Sequence, residues 1–186
     1  MTGPCTRIAV TVTFLRQDGP PLLPGQSLPA DTSLVRLPNP SVSIYRYLYD
    51  TVGASYVWWL RRTLPDSEIT AMLADPATSI HILYRDGEPA GFFELDQRGR
   101  ASVNLSYFGL LPHAVGRGLG PAFLRAAIDE AWSRGPNILT VNTCTADHPR
   151  AMPNYLRAGF RVVREVKEIW DVPNRLGLVI PAHLRV

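Results

Sequence analysis

Lysine is nearly missing from this chain of 186 residues: Lys167 is the only one, and arginine supplies the rest of the 19 basic side chains. That alone excludes a Walker phosphate loop, G-x-x-x-x-G-K-S/T, because no glycine-rich segment carries a lysine. Cysteine is scarce too. Cys5 and Cys144 imply no disulfide framework, and a reducing compartment is the default expectation. The four histidines, His81, His113, His148 and His183, are too dispersed for a metal set and no H-E-x-x-H occurs, so no metal is expected. Charge of one sign is absent as well. The 19 basic and 16 acidic residues leave +3, with arginines scattered from Arg7 to Arg185, so no nucleic-acid footprint is expected. No apolar run is long enough to span a bilayer, and no early apolar run carries a cleavage site. No membrane partner is expected, and the cytoplasm is the expected location. Arginine in place of lysine points to a GC-rich bacterial genome. The length is that of one domain with room for a real core.

What the chain does have is Val115-Gly116-Arg117-Gly118-Leu119-Gly120 between two periodic segments. Upstream, Ala101 to Leu111 reads as a strand. Downstream, Leu119, Phe123, Ala127, Ile128, Ala131 and Trp132 recur at the helical period. Three glycines on alternate positions therefore strip side chains from the turn where a helix begins. Unpaired N–H groups and partial positive charge collect there, so the turn suits an anion. A dinucleotide fingerprint, G-x-G-x-x-G, needs a third glycine where this chain has Pro121, and the ribose-binding acid is missing as well. Alone, such a turn requires no ligand; the segments around it give it weight.

Before the turn stands Leu111-Pro112-His113. After the helix and a further strand come His148, Ala151, Tyr155, Gly159 and Phe160. The segment from Leu110 to Phe160 thereby resembles the GNAT superfamily of acetyl-CoA-dependent N-acyltransferases. In that family an "hP" turn is followed by Q/R-x-x-G-x-G/A at a helix start, then by a strand and N-x-x-A-x-x-x-Y-x-x-x-G-F. Val115 stands where the family has Gln or Arg, and His148 where it has Asn. The resemblance implies that Val115, Gly116, Arg117, Gly118, Leu119 and Gly120 hold the CoA pyrophosphate, mainly through backbone N–H groups, and that His148 borders the cofactor. It also implies a strand that splays from its neighbour, its backbone at Phe108 and Leu110 binding the pantetheine arm. Gly109, which interrupts this strand, reads as a bulge or splayed edge. Tyr155 takes the position of the family's general acid.

The remaining elements are read from period and punctuation. Arg7 to Leu15 alternates and is β-branched, an N-terminal strand followed by a Pro-rich connection from Asp18 to Pro29. Ser33 to Leu37 is a short strand. Ile44 to Arg62 reads as helix, with Tyr45, Leu48, Tyr49, Val52, Tyr56, Trp59 and Leu60 on one face and Gly53 as a break between two helices. Tyr47, Trp58, Arg46 and Arg61 fall off that face and are candidates to line an acceptor cleft. A helix from Asp66 to Ala74 stops before Asp75-Pro76. Ile80 to Tyr84 and Pro89 to Leu95 flank the hairpin signal Asp86-Gly87, and Asp96 to Arg100 turns the chain again. Strands at Ile138 to Thr145 and Phe160 to Val172 enclose a helix from Arg150 to Ala158. The expected fold is one α/β domain of GNAT type. Its sheet is mixed and mostly antiparallel, flanked by helices, with an extra N-terminal strand. Residues 1–32 form part of the same domain as the acetyltransferase-like 33–186.

Acyl transfer to an amine needs a base or a proton path. Glu94, in Gly91-Phe92-Phe93-Glu94-Leu95, would have a raised pKa if buried and suits a general base; an ordinary exposed strand face is the other reading. Asp147 and His148 are also within range. Cys144, between threonines, reads as a small buried thiol. The expected activity is transfer of an acetyl group from acetyl-CoA to a primary amine of a small molecule or peptide. A non-catalytic CoA-binding module is the alternative and a nucleotide-binding enzyme a third reading. A homodimer is left open.

Overall fold

The computed structural model of the chain describes residues 3–22, 25–99 and 101–186. Leu23 and Pro24 of the Pro-rich connection, and Arg100 of the turn after Asp96, lie outside them. In chain order the elements are β1 (Cys5–Gln17), β2 (Thr32–Leu37), α1 (Val42–Gly53), α2 (Asp66–Ala74), β3 (Thr78–Arg85) and β4 (Glu88–Asp96). They continue with β5 (Ser102–Leu110), α3 (Leu119–Trp132), β6 (Ile138–Cys144), α4 (Ala151–Arg157) and β7 (Arg161–Pro173). Short 3₁₀ turns lie at Arg61–Thr63, Pro112–Ala114, Asn174–Leu176 and Ala182–Leu184.

The strands form one sheet in the order β2-β3-β4-β5-β6-β1-β7. Among the described residues only β5 and β6 pair in parallel; every other neighbouring pair is antiparallel. The N-terminal strand is thus an interior strand: β1 inserts between β6 and β7, pairing from Val12 to Gln17 with one and from Cys5 to Arg16 with the other. Its composition suits that place. Ile8, Val10 and Val12 are buried in one apolar cluster and Leu15 in another, so both faces of β1 are covered.

Alternation sets the layers. Ile80, Ile82 and Phe92 pack with Tyr45, Leu48, Tyr49 and Val52 of α1 and Ile69 of α2. Their neighbours Leu83 and Phe93 point the other way, with Leu139 and Val141, onto Phe123, Ala127 and Ile128 of α3. Each fully buried side chain of this size contributes about 1.5–3 kcal/mol relative to exposure.

The first helix departs from the periodic reading. It ends at Gly53 as expected, but no second helix follows before the turn at Arg61–Thr63. Instead the Gly53 carbonyl accepts N–H bonds from Tyr56 and Trp58, at 3.1 and 3.2 Å. Val57 takes φ 56°, a costly conformation for a β-branched residue. A Cβ on Gly53 would lie 2.4 Å from the Trp58 Cβ, so the glycine permits this fold-back. Trp58 thereby reaches Tyr49, with ring centroids 5.4 Å apart, while Leu60 on the expected apolar face is exposed.

Candidate active site

A cleft of about 1310 Å³ opens where two parallel strands part. Pairing of β5 with β6 stops at Leu105↔Val141, although β5 runs on to Leu110 beside β4 and β6 to Cys144 beside β1. The cause is a bulge. Glu94 pairs with Tyr107 but Leu95 with Leu105, which leaves Ser106 as the extra residue where β5 leaves β6. A bulge bends its strand and sharpens the local twist. Gly109, read from sequence as the splay marker, serves another purpose. A Cβ there would stand 2.3 Å from Val52 Cγ1, so the glycine lets α1 approach the sheet.

The parted strand exposes backbone donors. Leu111 N–H bonds the Ala90 carbonyl at 2.9 Å, and the register runs Gly91↔Leu110, Phe92↔Gly109, Phe93↔Phe108. Alternation in an antiparallel pair then turns the N–H and C=O groups of Phe108 and Leu110 away from β4, into the cleft. Both residues line it.

At one end of the cleft stands the start of α3. Gly118 is its N-cap at φ 77°, Gly116 takes φ 80°, and no side chain caps the helix. The N–H groups of Gly118, Leu119 and Gly120 therefore precede the first intrahelical bond, and Pro121 sits where a missing N–H costs nothing. Gly116 and Gly118 are glycines because of φ; a Cβ at either meets nothing within 4 Å. Gly120 is helical, and a Cβ on it meets only Asn154 Nδ2 at 3.9 Å, so its bareness leaves open space on the cleft side. Val115, Gly116, Gly118 and Gly120 all line the cleft. Leu119 points its side chain into the core, so only its backbone can serve, and Arg117 lies outside the cleft wall.

The family model for the acetyltransferase (GNAT) family matches residues 45–160, from the first helix to the end of α4 and beyond. The chain belongs to the GNAT acetyltransferase family. A GCN5-related N-acetyltransferase from Sphaerobacter thermophilus superposes with a TM-score of 0.64 at 18% identity, covering 92% of this chain and 54% of that one. One from Kribbella flavida gives 0.62 at 17% identity, covering 89% and 60%. A tandem GNAT protein from the clavulanic acid biosynthesis pathway gives 0.58 at 16%, covering 90% and 55%. The chain thus spans little more than half the length of these solved structures, and at such identities the likeness is one of fold. No curated protein matches the chain.

Within this GNAT fold the side chains named from sequence fall into two groups. Tyr155 and His148 line the cleft. Tyr155 is 6% exposed, with its ring edge toward Phe160 at 5.7 Å; burial, helped by the charge of Asp147, lifts its pKa above the ordinary phenol value. His148 Nδ1 accepts the Arg150 N–H at 3.0 Å, a local turn bond of the kind an Asn side chain makes. The histidine thus supplies an acceptor at the position where the family has asparagine.

Glu94 is not brought to the cleft. It is 1% exposed, and its oxygens accept from Tyr45 Oη at 2.7 Å and Arg61 Nη2 at 2.9 Å. Burial lifts its pKa, while Arg61 and both hydrogen bonds pull the other way. Alternation along β4 predicted two faces; which one was buried depended on α1. The carboxylates that do line the cleft are Asp96, Asp147 and Glu168, and of these Asp147 stands beside Tyr155 and His148 in the lining. Its Oδ2 accepts from Thr143 Oγ1 at 2.8 Å and from Cys144 N–H at 2.9 Å, leaving Oδ1 with a longer contact of 3.4 Å from Trp58 Nε1. Burial raises its pKa above the usual carboxylate range. Cys144 beside it is pushed to about 12, chiefly by burial, so its thiolate is scarce at neutral pH.

Of the residues off the helical face, Trp58 and Arg61 line the cleft; Tyr47 is exposed outside it, and Arg46 pairs with Asp66 at 2.6 Å. Sequence reasoning missed Ser106, because a bulge has no signal in a strand lacking glycine at that position. Among the described residues, no group of three or more His, Cys, Asp or Glu side chains could hold a metal ion. None of their helices is long and apolar enough to cross a membrane.

Proposed function

We propose that the chain transfers an acetyl group from acetyl-CoA to a primary amine by direct attack. The observation that carries this reading is the cleft itself: parted strands with free donors at Phe108 and Leu110, an uncapped glycine-lined helix start, and Tyr155 and Asp147 in the same wall. The fit to CoA is chemical. Backbone N–H groups at Gly118 to Gly120 suit a pyrophosphate, and a strand edge suits the amides of a pantetheine arm. Acetyl-CoA would supply the activated acetyl thioester. The Leu110 N–H, turned away from β4 into the cleft, is the donor we assign to the negative charge that develops on the acetyl oxygen, and a donor fixed beforehand lowers that barrier.

Asp147 is the group we assign to the amine. It lines the cleft with Oδ1 held only by the 3.4 Å contact from Trp58 Nε1, and a raised carboxyl pKa brings its basicity closer to that of a useful proton acceptor. Tyr155 donates a proton to the departing sulfur. Burial lifts the phenol above its ordinary value of about 10 while a thiol sits near 8.5, so the transfer runs uphill and relies on a donor fixed beforehand in a dry site. Glu94 acts at one remove, as a positioning residue that holds Arg61. The acceptor, a small-molecule or peptide amine, meets the aromatic wall of Trp58, Tyr107 and Tyr49, whose rings sit 4.9–5.4 Å apart.

Tyr155→Phe tests the assignment, since it keeps the packing and removes one hydroxyl. Turnover on an amine panel should fall roughly 10²-fold with acetyl-CoA affinity unchanged. Acetyl-CoA binding without turnover of any amine by the unaltered chain would favour the non-catalytic module. Failure to bind acetyl-CoA would end the proposal.

A further inference from the structure

Charges along the cleft wall are unevenly paired. Arg61 and Arg98 line the side away from α3 and α4, and each already faces a carboxylate, Arg61 that of Glu94 and Arg98 that of Asp96. Arg150 and Arg157 stand at the other end, beside α4. Asp147 and Glu168 also line the cleft, and among the described residues no arginine, lysine or histidine pairs with either. Neutral donors hold them instead. Asp147 accepts from Thr143, Cys144 and Trp58. Glu168, half-buried, accepts one bond of 2.7 Å, from Trp170 Nε1 to its Oε2. Its other oxygen has no donor among the described residues.

The sheet sets the distance between these two charges. Glu168 of β7 pairs with Val10 of β1, and on the other side of β1 Val12 pairs with Cys144 of β6. Two bonds of 3.1 Å, from Thr145 N–H to the Thr11 carbonyl and from Thr11 N–H to Thr145 Oγ1, carry the chain on beside β1 past Cys144. Val10 is thus level with Ala146. Asp147 follows it, so the two carboxylate-bearing positions stand roughly two strand spacings, about 10 Å, apart. Between them the wall is apolar. Val12 lines it, and Trp59 and Trp170 pack on the cluster of Ile8, Val10 and Val12. A carboxylate beside indole rings suits an alkylammonium, giving the head a counter-charge and the stem an apolar surface.

Given acetyl transfer to an amine at Asp147, as proposed above, we infer that the acceptor is a dicationic amine whose second positive charge docks on Glu168 beside Trp170. Asp147 takes the proton of the reacting end; Glu168 sets which molecule is held there, and the second ammonium takes no part in bond-making. Other acceptors leave charges unmatched. An amino acid brings its carboxylate to Arg61 and Arg98, which Glu94 and Asp96 already neutralise. A plain alkylamine displaces water from Glu168 and offers it no donor in return. A diamine long enough to bridge the two positions satisfies both carboxylates and lays its methylenes on the apolar wall between them.

Straight-chain α,ω-diamines of increasing length, each matched with the monoamine of the same length, test this on the full chain with saturating acetyl-CoA and thiol release as the readout. The longer diamines should exceed their monoamines in kcat/KM by about 10–100-fold, mostly through KM, and the shortest diamines should show no such advantage. Glu168→Gln keeps the side-chain shape and an oxygen for the Trp170 bond but removes the charge. It should erase the preference, so that the two series run level. Calorimetry of the same diamines on the CoA-loaded chain keeps two failures apart. Absence of turnover with every amine would end the acetyl-transfer reading, whereas the Glu168 site stands or falls on whether diamine binding weakens in Glu168→Gln. Turnover of monoamines with no diamine advantage, or an advantage that survives Glu168→Gln, would overturn the inference and leave acetyl transfer in place.

Discussion

Arg61 Nη2 donates to Glu94 Oε1 at 2.9 Å beneath the cleft, and this pair ties the turn after α1 to the middle of the sheet. The guanidinium also lies 5.5 Å from the Tyr107 ring centroid. Glu94 is 1% exposed, so removing its charge leaves Arg61 without its partner in a dry place. Glu94→Gln is expected to destabilise the fold by about 3 kcal/mol, read by urea denaturation. The midpoint of the acid limb in the rate profile should stay where it is. A shift of that limb would return Glu94 to the role of base.

Asp147→Asn should do the reverse. The carboxylate form is the active one, so activity is present above its folded pKa and lost as pH falls through it. Because burial raises that pKa, the limb lies above the 3.8 of a free aspartate. With an acceptor whose own amine titrates outside the range, the variant should lose about 10²-fold in kcat/KM and lose the limb altogether. Wild-type rates in Asp147→Asn would transfer the proton to solvent.

The glycines of the helix start separate backbone strain from ligand access. Gly118→Val places a β-branched residue at φ 77° and should cost stability as well as binding. Gly120→Val has no such strain, since its backbone is helical and its Cβ has room. It should keep the melting temperature within a degree or two yet weaken acetyl-CoA binding at least about 10-fold by calorimetry, as the added methyls would occupy the bare side of the turn. Unchanged affinity would move the pyrophosphate elsewhere.

His81 makes stability depend on pH. It is 2% exposed, stacked on Phe93 at 4.6 Å, and held to a pKa of about 4, first by burial. Glu130 at 3.7 Å acts against that shift, and Arg134 and Arg36 add to it. A free histidine titrates near 6.5, so between pH 6.5 and 4 the unfolded chain binds a proton that the folded chain refuses. The stabilisation is complete above pH 6.5 and should be lost as pH falls toward 4, by on the order of 3 kcal/mol. Melts of His81→Gln and wild type over that range should converge at the acid end; parallel curves would refute it.

Local chemistry was legible where its causes are local. The α2 boundaries at Asp66 and Ala74 follow from Pro65 ahead and Asp75-Pro76 behind. The β3–β4 turn follows from Asp86 and Gly87, both at positive φ. The helix start at Gly118 follows from glycine spacing and the apolar period beyond it. His148 too makes its bond within two residues, accepting the Arg150 N–H.

Only the tertiary structure decided what depends on distant partners. Alternation in β1 announces a strand but is silent on its neighbours; β6 and β7, more than a hundred residues on, enclose it. Glu94 carries the same alternating signal whether its face meets solvent or α1, and the approach of Tyr45 and Arg61 settled that. Ser106 became a bulge because β4 and β6 impose two registers on one strand. Periodicity and turn chemistry act over a few residues, whereas strand order, burial of a given face and the pairing of charges are set by contacts that form only once the whole sheet closes.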